Sequence, residues 1–257
     1  MYLRLKVLNN NLPGKGNRLI TVEDIARMID HSILHPTFTD DDLKNNCDIA
    51  KKYQVATVCI KPYHTKMAVD ILNGSPVAVC AVIGFPHGNS TVDIKAAETL
   101  QVIKDGAAEV DMVVNVGKVL QGDWDYIDSE IKTVQSTCLR NHAKLKIIFE
   151  TDYISRDEDK IKLCELCSNH KVAFVKTSTG YGFVKGSDDK YSYEGATEHN
   201  IKLMRNHCAP EVQIKAAGGI RTLDQILRMR ELGVTRVGAT ATVEILEEAK
   251  RRFITSP

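Results

Sequence analysis

Short runs rich in Val and Ile alternate with longer stretches of helical period along nearly the whole chain, eight times over. Strand candidates lie at 27–32, 55–60, 77–83, 109–115, 145–150, 173–178, 212–217 and 235–239. Helix candidates follow turn or cap residues at 43–53, 92–105, 124–140, 160–168, 199–207, 223–232 and 243–252. Thr222 with Gln225 three residues on is a capping-box pattern. Gly106 and Gly233 stand where a helix should close before the next strand. Eight such units in 257 residues without a linker predict an α/β fold, a (β/α)8 or TIM barrel, as one domain over residues 21–257. A doubly wound open sheet is the alternative. It would normally carry a glycine-rich phosphate fingerprint after its first strand, and no G-x-G-x-x-G or Walker-type run occurs.

Composition narrows the function class. The formal net charge is +1, so no strong field recruits nucleic acid, a membrane surface or acidic partners. No stretch approaches the roughly 18 apolar residues of a membrane span. Seven scattered cysteines, an odd number in a long chain, argue for reduced thiols and a cytoplasmic setting. Residues 1–20 form an N-terminal extension, with Arg4, Lys6, Lys15 and Arg18 but no acid before Ile20. The sequence reads there as a frayed, solvated arm.

The informative feature is charge inside strands that should be apolar. Parallel strands buried on both faces normally read as continuous hydrophobic runs. Here Asp111 lies within 109–115, Lys146 within 145–150, Lys176 within 173–178 and Lys215 within 212–217. The two-residue period sets each on the face opposite its apolar neighbours. One strand lysine is often an edge or snorkelling residue. Three lysines and an aspartate in successive strands are harder to place that way, because an unpaired buried charge costs several kcal/mol. A converging cluster resolves the cost and suits Schiff-base chemistry. An ordinary lysine, with a pKa near 10.4, is neutral about once in 10³ at pH 7. An apolar pocket and a second ammonium both favour the neutral amine. Lys176 and Lys215 fall on adjacent predicted strands, one as nucleophile and the other as electrostatic neighbour. Asp111 would move the proton, directly or through water.

Two glycine loops suggest a phosphorylated substrate. Lys215-Ala216-Ala217-Gly218-Gly219-Ile220-Arg221-Thr222 joins the seventh strand to a capped helix, and Arg236-Val237-Gly238-Ala239-Thr240 follows the eighth. Backbone N–H groups in such loops can approach an anion, and loops after strands seven and eight commonly bind phosphate in these barrels.

Together these runs resemble the 2-deoxyribose-5-phosphate aldolase family. The matching stretches are Ile29-Asp30-His31-Ser32, Thr57-Val58-Cys59-Ile60, Glu109-Val110-Asp111-Met112-Val113-Val114-Asn115, Lys146-Ile147-Ile148-Phe149-Glu150-Thr151, Phe174-Val175-Lys176-Thr177-Ser178-Thr179-Gly180 and Lys215 to Thr222. The resemblance implies a metal-independent class I lyase without cofactor, active in deoxyribose and deoxyribonucleotide catabolism. It would cleave 2-deoxy-D-ribose 5-phosphate reversibly to acetaldehyde and D-glyceraldehyde 3-phosphate. It implies a Schiff base on Lys176, Lys215 as the partner that lowers its pKa, and Asp111 as acid/base group with a water. It places Lys146 and Asp30 in the supporting polar network and Cys59 in the pocket. Phosphate would lie near Gly180, Gly218, Gly219, Gly238 and Thr240. A homodimer or higher homo-oligomer is expected. The chain departs from the family in three places. The loop 180–195 is longer than the usual glycine-rich turn, Tyr181 stands where some members carry a lysine, and Gly238-Ala239-Thr240-Ala241 replaces a loop with adjacent serines. Other readings are another sugar-phosphate aldolase or transaldolase-like enzyme, and a sugar-phosphate-binding barrel without catalysis.

Four features carry no assigned chemistry. Cys164 and Cys167 form a C-x-x-C within a predicted helix with no second pair, which suggests packing. His31, His35, His64 and His87 show no metal-ligand spacing. Trp124 is expected to pack at a helix start. The polar loop 180–195 is long enough to be functional or mobile.

Overall fold

A computed structural model describes residues 19–254 of the protein. Eight parallel strands close into a barrel: β1 (Ile29–Ile33), β2 (Thr57–Ile60), β3 (Ala78–Ile83), β4 (Glu109–Val113), β5 (Lys144–Ile148), β6 (Phe174–Lys176), β9 (Gln213–Ala217) and β10 (Arg236–Ala239). Each pairs with its neighbour in this order, and β10 returns to β1. A two-stranded antiparallel hairpin, β7 (Val184–Lys185) and β8 (Tyr191–Ser192), lies between β6 and β9. The predicted (β/α)8 barrel is therefore the observed fold. The proposed N-terminal arm lies outside the described residues except for Leu19 and Ile20.

Strand parity divides the molecule. Val58, Ile60, Val79, Ala81, Val110, Met112, Leu145, Ile147, Val175, Ile214, Ala216 and Val237 belong to one continuous apolar core with the surrounding helices. The alternate residues of the same strands turn inward, and there the charges collect. The fold thus gains most of its hydrophobic stabilisation between sheet and helices, while the barrel interior holds the charges beside a small apolar cluster of Leu34, Cys59, Cys80 and Val82.

Several helices differ from the sequence reading. Val22–Ala26 is an additional helix, started by a capping box between Thr21 and Asp24. Thr65–Leu72 and Val116–Gln121 are also helical. Asn115, expected as the end of a strand, instead caps Val116–Gln121 through Lys118 N. The Thr222–Gln225 capping box forms, and Gly106 and Gly233 take positive φ of 103° and 91° after their helices. Thr91 stands at the N-cap of Val92–Lys104 without a side-chain cap bond. Trp124 opens the helix Trp124–Arg140 and packs against the core.

The helices carry one sealed ion pair. Lys95 and Glu130 meet at 2.7 Å with both side chains fully buried. Lys95 also donates to Val113 O at 2.7 Å, and Asn115 N donates to Glu130 at 3.0 Å. Gly84 leaves the space, since a Cβ there would lie 2.8 Å from Lys95 Cε.

Candidate active site

Asp111 is the centre of the barrel interior. Its Oδ2 accepts from Lys176 Nζ at 2.8 Å and Lys215 Nζ at 2.7 Å, and its Oδ1 from Lys146 Nζ at 2.8 Å. The register explains this convergence: Asp111 pairs with Lys146 across β4–β5, and Lys176 with Lys215 across β6–β9. Lys215 also ion-pairs with Asp30 Oδ2 at 2.6 Å, and Lys146 with Glu109 Oε2 at 2.6 Å and Asp30 Oδ2 at 3.8 Å. Arg236, at the start of β10, closes the cluster. It donates to Asp30 at 2.6 Å and Glu109 at 2.9 Å, with its guanidinium 5.2 Å from the centre of the Phe174 ring. Thr57 Oγ1 donates to Asp30 Oδ1 at 2.6 Å. Lys176 is the last residue of β6, which brings it to the C-terminal face where such barrels do chemistry.

These contacts outweigh the cost of burial. Burial alone would raise the Asp111 carboxyl, but Lys146, Lys176 and Lys215 hold it well below the usual range. Asp30 is likewise held low, against burial, by Lys215, Lys146 and Arg236. Burial would push Lys215 down, but Asp111 and Asp30 hold its ammonium above the ordinary lysine value. Lys146 is raised in the same way against burial, chiefly by Asp111. Lys215 is thus a fixed cation beside Lys176.

Cys59 and Cys80 are register partners across β2–β3. Cys80 Sγ lies 3.0 Å from Asp111 Oδ1, and Cys59 Sγ 3.8 Å from Asp111 Oδ2. A hydrogen bond from Cys80 lowers the Cys59 thiol despite burial, whereas burial pushes Cys80 well up. The two sulfurs and the Asp111 carboxylate lie within 4.8 Å of one another, close enough to suggest a metal site. The set suits a cation poorly, because Lys146 Nζ stands 3.0 Å from Cys80 Sγ and Lys215 Nζ 3.9 Å from Cys59 Sγ. Cys164 and Cys167 are fully buried in the core, with free thiols, as packing predicts. His31 sits in β1, bonded to Thr242 and Asn46.

The glycines expected near phosphate separate into two kinds. Gly180, Gly218 and Gly219 adopt positive φ of 87°, 91° and 79°, in the turns that follow β6 and β9. Gly238 is different: it lies within β10, where a Cβ would stand 3.2 Å from Ala217 Cβ and 3.6 Å from Lys215 Cε. Its bare backbone first of all makes room for Lys215. Thr240 follows it, exposed.

The strand pattern does not single out Glu109, Arg236, Thr57 or Cys80, yet all four join the cluster. A signal for Glu109 is present, since it stands two residues before Asp111 and so shares its face. Arg236 stands two residues before Gly238 in the same way.

Residues 25–240 match the model of the DeoC/LacD family aldolases. The chain belongs to that family. A deoxyribose-phosphate aldolase of Rhodopirellula baltica is 47% identical over 230 residues, covering 90% of this chain and 91% of the relative. The crystal structure of a putative deoxyribose-phosphate aldolase from Coccidioides immitis superposes with a TM-score of 0.82 at 32% identity, covering 95% of this chain and 92% of that one. A tetrameric deoxyribose phosphate aldolase from Aeropyrum pernix gives 0.80 at 25% identity over 91% of this chain and 94% of its own. Among the described residues no helix is long and apolar enough to cross a membrane.

Proposed function

We propose that the protein cleaves 2-deoxy-D-ribose 5-phosphate reversibly to D-glyceraldehyde 3-phosphate and acetaldehyde through an imine on Lys176. The observation that carries this reading is the anchoring of Lys176 and Lys215 on one oxygen of Asp111 in the buried barrel interior. The cluster holds four cationic groups (Lys146, Lys176, Lys215, Arg236) against three carboxylates (Asp30, Glu109, Asp111), so one neutral amine balances it. Lys176 has one carboxylate partner, Lys215 two and Lys146 three. Lys176 is therefore the least tethered of the three amines, and it is assigned as the nucleophile.

Its Nζ attacks C1 of the open-chain sugar, and the carbinolamine loses water to form the imine. A proton leaves the C3 hydroxyl, the C2–C3 bond breaks, and its electron pair passes into an enamine on Lys176. Glyceraldehyde 3-phosphate departs. Protonation of the enamine at C2 and hydrolysis release acetaldehyde and restore the amine. Asp111 carries these protons, directly or through water. Lys215 stays an ammonium and stabilises the negative charge that develops at oxygen. The phosphate is assigned to the amides of the Gly180, Gly218 and Gly219 turns.

The seven buried free cysteines support a reducing, cytoplasmic setting, and the tetrameric relative supports a homo-oligomer. Product analysis tests the reaction. Incubation with 2-deoxyribose 5-phosphate should yield acetaldehyde and glyceraldehyde 3-phosphate in equal amounts. Inertness toward this sugar with cleavage of a different sugar phosphate would overturn the substrate.

A further inference from the structure

The loop 180–195, the main departure from the family pattern, is held at both ends by the segment that follows β5. At its first foot, Thr179 N donates to Glu150 Oε1 at 3.1 Å, and Thr179 Oγ1 donates to Glu150 Oε2. Thr179 Oγ1 in turn accepts from Tyr181 N at 2.9 Å. Gly182 lies against the same carboxyl, where a Cβ would stand 2.8 Å from Glu150 Cδ. Glu150 is 1% exposed and takes a left-handed φ of 59°, a conformation that a non-glycine residue adopts at a cost. At the second foot, Asp152 Oδ1 accepts from Glu194 N at 2.6 Å and Gly195 N at 3.1 Å. Gly195 is pressed onto the glycine turn: a Cβ there would lie 2.6 Å from Gly218 C, and Ala196 N donates to Gly218 O at 3.2 Å.

Two carboxylates two residues apart thus seat both feet of one hairpin. One foot carries Gly180, and the other braces Gly218. We propose that Glu150 and Asp152 are positioning residues that set the Gly180 and Gly218 amides for the phosphate monoester of the substrate. The inference rests on the assignment of phosphate to those amides above. Neither carboxylate touches phosphate in this account, since both would repel it; they act through Thr179, Gly182, Glu194 and Gly195. A cleft of about 540 Å3 beside the hairpin is lined by Thr151, Asp152, Tyr193 and Gly195. It gives the second foot room to move once Asp152 lets go.

The test compares 2-deoxyribose 5-phosphate with unphosphorylated 2-deoxyribose. Wild-type enzyme should prefer the phosphorylated sugar, and inorganic phosphate should compete with it. Glu150→Ala and Asp152→Ala should each lower the ratio of the two kcat/KM values by about tenfold, through KM for the phosphorylated sugar, and weaken inhibition by inorganic phosphate to a similar degree. Glu150→Gln and Asp152→Asn, which keep an acceptor oxygen, should recover most of the loss. Equal losses on both sugars, or no loss, would overturn the positioning role while leaving the phosphate assignment intact. A wild-type enzyme indifferent to the phosphate would overturn the assignment itself, and with it this inference.

Discussion

Lys176 and Lys215 face each other across directly paired strands and donate to the same carboxylate oxygen, at 2.8 and 2.7 Å. One oxygen thus holds two amines whose roles differ by their remaining partners. Lys215 has Asp30 as a second anchor at 2.6 Å, while Lys176 has Asp111 alone among the carboxylates of the cluster.

Removing the fixed cation should slow chemistry more than binding. Lys215→Met is expected to lower kcat by about 10²–10³, with a much smaller change in KM. Steady-state kinetics on 2-deoxyribose 5-phosphate measure this, and a variant within tenfold of wild type would show that Lys215 is structural.

Asp111→Asn separates imine formation from proton transfer. The amide keeps an acceptor near the lysines but cannot carry the proton. Cleavage should fall by about 10²–10⁴, while borohydride should still trap acetaldehyde on the protein. Loss of trapping together with turnover, in a protein that remains folded by circular dichroism, would assign Asp111 to imine formation instead.

How much of this was legible follows from the strand period. Asp111, Lys146, Lys176 and Lys215 announce themselves as charges in apolar runs, and the register brings them together. Arg236 and Glu109 lie at strand starts, where charge is ordinary, so the face that they share with Gly238 and Asp111 is a weak signal until the barrel closes. Lys95 and Glu130 are hidden for a related reason: on amphipathic helices they look like solvated residues, and only the packing of Val92–Lys104 against Trp124–Arg140 seals them. The hairpin within 180–195 is too short to show a period, and its anchors lie 29 and 42 residues away.

The sealed Lys95–Glu130 pair makes a stability prediction. Burial pushes Lys95 down and Glu130 up, so each charge depends on its partner. Lys95→Met or Glu130→Leu alone should cost about 3–5 kcal/mol, and the double variant much less than the sum. Urea unfolding of the four proteins checks this; strict additivity would mean that the two residues act independently.

The barrel cluster sets a pH window. Asp30, Glu109 and Asp111 are held below their ordinary values by lysine and arginine neighbours that outweigh burial. The folded state therefore binds fewer protons than the unfolded chain. Their contribution to stability is present above the unfolded values near pH 4 and is lost as pH falls through the lowered folded values. Lys146 and Lys215 are raised, so theirs is complete below about pH 10 and is lost as pH rises toward the folded values. Glu130 and Glu150, pushed up by burial, oppose the acid limb. Tm should be broadly level from about pH 5 to 10, and its fall on the acid side should be shallower in Asp30→Asn. An equally steep acid limb in that variant would remove Asp30 from the account.

The most direct measurement of the central claim is borohydride reduction in the presence of acetaldehyde or 2-deoxyribose 5-phosphate, followed by mass mapping of the modified peptide. The adduct is expected on Lys176, and Lys176→Arg should form none and show no cleavage, since a guanidinium supplies no neutral amine at pH 7. An adduct on Lys215 or Lys146 in the wild-type enzyme, or substantial turnover by Lys176→Arg, would contradict the assignment of Lys176 as nucleophile.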